Sequence, residues 1–105
     1  MAIKYDIIIT ENAQKDLNSI YFYFSNTMLE EETATNIITA LKEAIFSPDV
    51  MPGRYRLIND FSLAEKGYRH IPVKSYIVLY LIDKKKKTVA ISRVIHGRMD
   101  YSKYI

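Results

Sequence analysis

The chain opens on a short β-branched run, Ile3 to Ile9, that stops at Thr10-Glu11-Asn12. Such a run predicts a strand, and the polar trio behind it predicts a helix that starts at once. Thr10 is the expected N-cap, its hydroxyl accepting an orphan amide of the first turn, with Glu11 at the positive end of the helix dipole. Ala13, Leu17, Ile20, Tyr21 and Phe24 fall on i, i+4, i+7, i+8 and i+11, one face of an α-helix, and the aromatic members read as core packing. Ser25-Asn26-Thr27 breaks the pattern, after which Ala34, Ile37, Ile38, Leu41 and Ile45 resume it. Glu30, Glu31 and Glu32 crowd the first turn of this second helix, where the dipole favours negative charge. Ser47-Pro48 ends it, because proline supplies no donor and pushes its predecessor out of the helical region. Two amphipathic helices joined by so short a break form an antiparallel hairpin, and their apolar stripes cover one face of a sheet.

Residues 48 to 66 are irregular: Pro48, Pro52 and Gly53 punctuate them, Asn59-Asp60 reads as a turn, and Arg54 to Ile58 allow a short strand. Three strands follow, Tyr68 to Val73, Tyr76 to Ile82 and Thr88 to Ile95. Lys74-Ser75 leaves room only for a tight hairpin, and Asp83 to Lys87 forms a second hairpin whose charged tip stays in water. Pro72 cannot donate to a ladder, which predicts a bulge or the unpaired side of its strand.

The central strand is apolar on both faces, with Tyr76, Val78, Tyr80 and Ile82 on one and Ile77, Leu79 and Leu81 on the other. It therefore needs two covers. The helical hairpin is one; the second falls to the 48 to 66 loop, the C-terminal tail, a twin subunit or a partner segment. The order β-α-α-β-β-β gives an α+β fold, an antiparallel sheet with a two-helix hairpin on one face. At 105 residues it is expected to be a single domain, 1 to 105.

Composition adds one asymmetry. Residues 1 to 52 carry three basic and eight acidic side chains, a net −5, whereas residues 53 to 105 carry twelve basic and four acidic, a net +8. Such a split points to an anionic partner for part of the surface, although Lys84 to Lys87 supply four of the twelve and suit a solvated tip equally well. Discounting them leaves +4, enough to attract an acidic protein and modest for gripping RNA. No Cys and only two His, His70 and His96, exclude a disulfide framework and a conventional structural zinc site, so neither metal nor cofactor is expected. The longest uncharged apolar stretch, Ser75 to Ile82, is far below the ~20 residues of a membrane helix. Charge at the very N-terminus excludes an export signal, and the expected location is the cytoplasm.

There is no glycine-rich phosphate loop, HExxH or nucleophile elbow. What stands out is basic and aromatic: Tyr68, Arg69, His70, Tyr76, Tyr80, Arg93, His96, Arg98, Tyr101 and Tyr104. Arg93 interrupts the apolar strand Thr88 to Ile95, so its guanidinium must be paired or solvated. An internal salt bridge, to Asp100 or Asp60, and a ligand role both satisfy that demand. In His96-Gly97-Arg98-Met99-Asp100, Gly97 permits a turn and His96 has the chemistry of a general acid or base near neutral pH. Ser92 and Ser102 near His96 lack a supporting carboxylate.

Gly67-Tyr68-Arg69-His70-Ile71-Pro72-Val73-Lys74-Ser75-Tyr76-Ile77-Val78-Leu79-Tyr80, followed by Arg93-Val94-Ile95-His96-Gly97-Arg98-Met99-Asp100, resembles the RelE/ParE superfamily of bacterial toxins from type II toxin–antitoxin systems. The ParE branch is the nearer one, with its G-x-R-x-x-P-V, Y-x-x-x-Y and R-V-x-H-G-x-x-D progression. Tyr5 to Thr10, Ala13, Asp16, Leu17 and Ile20 are similar to the family's opening strand and helix. The resemblance implies a cytoplasmic, growth-inhibiting toxin that functions in plasmid stabilisation and is neutralised by a cognate antitoxin. For a ParE-like member it implies poisoning of DNA gyrase and no catalytic residues. Arg69, Ile77, Leu79, Leu81, Arg93, His96 and Arg98 are then the expected contacts to target or antitoxin. For a RelE-like member it implies cleavage of mRNA on the ribosome, with Arg69, Arg93, His96, Arg98 and Tyr101 as the catalytic set. Ile71, Pro72 and Ile77 stand where ribosome-dependent members tend to carry Lys or Arg, which favours the non-nuclease. A degenerate toxin kept for antitoxin binding, and a homodimer that buries the open apolar face, complete the expectations.

Overall fold

A computed structural model describes residues 3–98 of the chain. Strand β1 (Asp6–Ile9) leads through α1 (Glu11–Phe22) and α2 (Glu31–Phe46) to a short α3 (Phe61–Glu65), then to β2 (Arg69–Val73), β3 (Tyr76–Asp83) and β4 (Thr88–His96). The α+β class and the antiparallel meander β2-β3-β4 are as the pattern predicts. The sheet order is β1-β4-β3-β2, and β1 joins β4 in parallel, Asp6 opposite Thr88 through Ile9 opposite Ile91. The first strand begins later than its composition suggests. Lys4 is bridged to Val50 instead, and the Tyr5 amide donates to the Asp49 carbonyl at 2.6 Å.

Thr10 caps α1 as expected, its hydroxyl oxygen accepting from the Ala13 amide at 3.2 Å. The helix does not stop at Ser25 but slackens into one π-helical turn, Tyr23–Thr27, before Leu29 at φ 55° reverses the chain. Glu30 takes the N-cap position of α2 without a capping bond, leaving Glu31 and Glu32 on the dipole. Ala13, Leu17 and Ile20 of α1 and Ile37, Leu41 and Ile45 of α2 form the main core with Ile71, Val78, Tyr80, Val89, Ile91 and Val94 of the sheet. Tyr21, expected in that core, is 38% exposed on its rim.

The segment after α2 supplies the second cover. In place of a strand at Arg54 to Ile58 there is one bridge, Leu57 to Arg69, and a bond from the Ile58 amide to the Tyr68 carbonyl at 2.9 Å. Asp60 then caps α3, accepting from the Leu63 amide at 3.1 Å and from the Ser62 hydroxyl at 3.0 Å. These bonds, the amide first, hold its carboxyl below the usual carboxylate value. Ile58 and Leu63 close over Ile77, Leu79 and Ile95. Ile77 and Leu79 are thus buried by the chain itself, and neither is an accessible contact for target or antitoxin. The homodimer that an open face there would invite loses its driving force at these two residues.

Pro72 lies on the edge strand β2. The His70 amide faces away from β3, to the Arg56 carbonyl at 3.1 Å, so the missing amide two residues on falls on the same outer side and costs no ladder bond. The β3–β4 hairpin is held by Asp83 Oδ1, which accepts from the amides of Lys85 and Lys86 at 3.0 Å each.

Tyr80 ties the main core to the segment after α2. Fully buried, it donates its hydroxyl to the Pro52 carbonyl at 2.6 Å, and burial pushes its phenol up to about 12 despite the nearby Arg69 guanidinium. The unfolded chain therefore loses this proton first, and stability falls as pH rises from about 10 to about 12. Urea unfolding across that range is expected to show the decline in the native chain and a shallower one in Tyr80→Phe, which at neutral pH loses about 1 kcal/mol with the hydrogen bond. Removing the second cover costs more. Leu63→Ala is expected to destabilise by about 2–4 kcal/mol in the same measurement.

Candidate functional site

Between Ile91 and Arg93 strand β4 carries one residue too many. Tyr80 faces Ile91 while Leu79 faces Arg93, so Ser92 is the extra residue of a β-bulge. On a regular strand Ile91 and Val94, three apart, would point to opposite faces. The bulge puts both in the main core and turns Arg93 toward α1. Asp16 meets it there. Arg93 donates from Nε to Asp16 Oδ2 at 2.7 Å and from a terminal nitrogen to Oδ1 at 2.8 Å, and the Val94 amide adds a third bond to Oδ2 at 2.9 Å. Thr10 secures the other side of the bulge, its hydroxyl lying 2.7 Å from the Ile91 carbonyl and 3.1 Å from that of Ser92.

The internal salt bridge expected of Arg93 is present and runs to Asp16; Asp60 caps α3 instead, and Asp100 lies outside the described residues. The sequence did hold a signal for Asp16. It sits at i+3 from Ala13 and beside Leu17, on the inward stripe of α1, where an unpaired carboxylate would be costly.

Beside this pair opens a cleft of about 650 Å³, walled by Ile20, Tyr23 and Phe24 on the helical side and by Tyr76, Val94 and His96 on the sheet. Tyr76 and His96, opposite each other across β3 and β4, stack edge to face with centroids 5.5 Å apart. Burial, then the Tyr23 phenol, raises the Tyr76 phenol above its ordinary value, so at neutral pH it is a hydrogen-bonding group and not an anion. His96 Nδ1 accepts from the Arg98 amide at 3.2 Å, which is the Nε2–H tautomer.

The remaining candidates are dispersed. Arg69 lies opposite Tyr80, four residues along β3 from the level of Tyr76 and His96, a separation of about 13 Å at ~3.3 Å per residue. Its guanidinium donates to the Tyr55 carbonyl at 2.6 Å. His70 Nδ1 lies 3.3 Å from the Arg56 carbonyl, and Tyr68 packs against the α3 cluster. Arg98 is exposed on the turn after β4, and Leu81 is half-buried beyond the end of α3. Tyr101 and Tyr104 lie outside the described residues. Among the described residues no three His, Asp or Glu side chains come together as a metal site, and no helix is long and apolar enough to cross a membrane.

A hairpin of two helices laid on a four-stranded sheet is a RelE/ParE-like toxin fold. The family described as the ParE toxin of the type II toxin–antitoxin system parDE matches residues 7–101, and the chain belongs to it. Solved structures share the fold. One of the chromosomal ParDE system from P. aeruginosa is 15% identical with a TM-score of 0.73, covering 89% of this chain and 96% of that one. The toxin–antitoxin complex RelBE2 from Mycobacterium tuberculosis is 26% identical with a TM-score of 0.64, covering 92% and 95%. A mutant of E. coli toxin RelE in the free state is 19% identical with a TM-score of 0.50, covering 96% and 94%. No curated protein sequence matches.

The Asp16 and Arg93 side chains are only 14% and 18% exposed, so removing one partner strands the other in a poorly hydrated place. Asp16→Asn is expected to cost about 2 kcal/mol, near 10 °C in melting temperature. Arg93→Lys is expected to recover little, because an ammonium cannot make the two-pronged contact. Thermal unfolding by circular dichroism measures both.

Proposed function

We propose that this toxin is held by a cognate antitoxin and, once released, inhibits growth by binding DNA gyrase in the cytoplasm, without cutting RNA. The observation that carries the reading is the engagement of Arg93 by Asp16. Stabilising the transition state of phosphodiester cleavage requires several cations converging on one phosphate. Here one of the candidate guanidiniums is neutralised by a two-pronged carboxylate, and Arg69 is anchored about 13 Å along the sheet. His96 stands beside Tyr76 at the mouth of an apolar cleft, an environment suited to protein contact. Family membership supports the antitoxin, and the neighbouring structures are of ParDE and RelBE toxin–antitoxin systems. In this reading His96 and the exposed Arg98, at the end of β4, are target contacts.

The purified toxin is expected to block gyrase supercoiling or trap its cleaved DNA complex while leaving transcripts on programmed ribosomes intact. His96→Ala is expected to keep RNA intact and to lower gyrase inhibition. Transcript cleavage that disappears in His96→Ala would replace this reading with the RelE-like one.

A further inference from the structure

On the face of the sheet away from α1 and α2, α3 covers Ile77, Leu79 and Ile95 and stops short. Beyond it a cross-strand row remains open, Ile8 of β1 opposite Ala90 of β4, and Ala90 opposite Leu81 of β3. Ile8 is 48% exposed, and the other two are half-buried. The row spans three strands, roughly 10 Å at the usual strand spacing. It floors a shallow groove of about 710 Å³ whose rim holds Lys66 at the end of α3 and Lys84, Lys85 and Lys86 of the hairpin tip. Two carboxylates stand on the strands beside this row. Asp83 is already engaged by the hairpin amides, and Asp6 sits in the next row opposite Thr88. Lys87 turns away, its ammonium 5.8 Å from the centre of the Tyr5 ring.

We propose that this groove receives an acidic amphipathic segment of the antitoxin, its apolar side chains on the Ile8, Ala90 and Leu81 row and its carboxylates on the lysine rim. The proposal rests on the antitoxin reading above and locates one of its contacts. An aliphatic floor offers nothing to a phosphate backbone, whereas lysines along its edge would repel a basic helix. Only a ligand that carries both apolar and acidic groups satisfies floor and rim together. The lysine stems also suit such a partner, because they extend the apolar surface while their heads stay in water.

The test measures binding of the purified cognate antitoxin to the full-length toxin by calorimetry at low and high salt. Lys84→Glu, Lys85→Glu and Lys86→Glu combined are expected to weaken binding by about tenfold or more and to flatten its salt dependence. Ile8→Ser is expected to weaken it with salt dependence unchanged. A control with Lys15→Glu and Lys42→Glu on the helical hairpin is expected to bind within twofold of the native chain, and melting curves establish that each variant is folded. In cells, the lysine variant is expected to remain toxic and to escape neutralisation. Unchanged affinity in both groove variants would overturn the inference while leaving the antitoxin reading intact. No binding by the native toxin would overturn both. Lysine-dependent binding of a single-stranded RNA, with antitoxin affinity unaltered, would reassign the groove to nucleic acid and overturn it as well.

Discussion

Asp16 accepts three hydrogen bonds from the bulge of β4, two from the Arg93 guanidinium and one from the Val94 amide. A bulge interrupts a ladder and leaves backbone groups that must find partners elsewhere. Here α1 supplies them, with a carboxylate on one side and the Thr10 hydroxyl against the Ile91 and Ser92 carbonyls on the other. The bulge in turn lets Ile91 and Val94 share one face, so the main core continues along β4 beneath α1. Helix seat, strand register and the wall of the cleft thus meet at Asp16, with Thr10 as the second support. A hydrophobic pair of similar volume could fill the space, but it would leave the Val94 amide unsatisfied.

The two covers of the sheet differ in kind. The helical hairpin buries a broad core, whereas α3 is a five-residue helix held by one capping aspartate and the side chains of Ile58 and Leu63. Between them they leave uncovered the Ile8, Ala90 and Leu81 row and the cleft beside His96. The charge split follows the same division. The acidic half is the β1 and helical hairpin segment, and the basic half is distributed around the sheet, partly spent on internal carbonyls by Arg54 and Arg69. Among the described residues, Arg56, Lys66, Lys74, the lysine tip and Arg98 at the end of β4 stay exposed. That placement suits protein contact better than a continuous grip on RNA.

Much of the fold was legible because its elements obey clear periods. The stripes Ala13-Leu17-Ile20 and Ala34-Ile37-Leu41-Ile45, the cap at Thr10 and the two hairpins all stand where the sequence pattern puts them. The parallel pairing of β1 was not legible, since a four-residue strand records no partner in its own sequence. Nor was α3, whose five residues carry too little periodicity to compete with the surrounding turn signals. Its Asp60-Phe61-Ser62-Leu63 start reads as part of a loop, so the pattern alone leaves the cover of Ile77 and Leu79 divided between that loop, the C-terminal tail, a twin subunit and a partner. The site was half legible. Arg93 announced a need for a partner, yet that partner lies 77 residues away, and the bulge that turns one toward the other has no signature in residue type. Family resemblance identified the class and said nothing of this pairing in the present chain.

The parallel pair of β1 and β4 joins the beginning of the chain to its end, with Thr10 and Ile91 81 residues apart. Contacts of such long range are the last to be repaid during folding, because the loop between them must close first. While the chain is being synthesised, α1 has neither the strand it packs on nor the arginine that pairs with Asp16 until β4 has emerged. A chain built this way cannot complete its sheet before β4 is made. Any truncation upstream of β4 removes the partner strand of β1 and β3 and the arginine that pairs with Asp16. The sheet, the seat of α1 and the Asp16–Arg93 pair are therefore all completed by the same late strand.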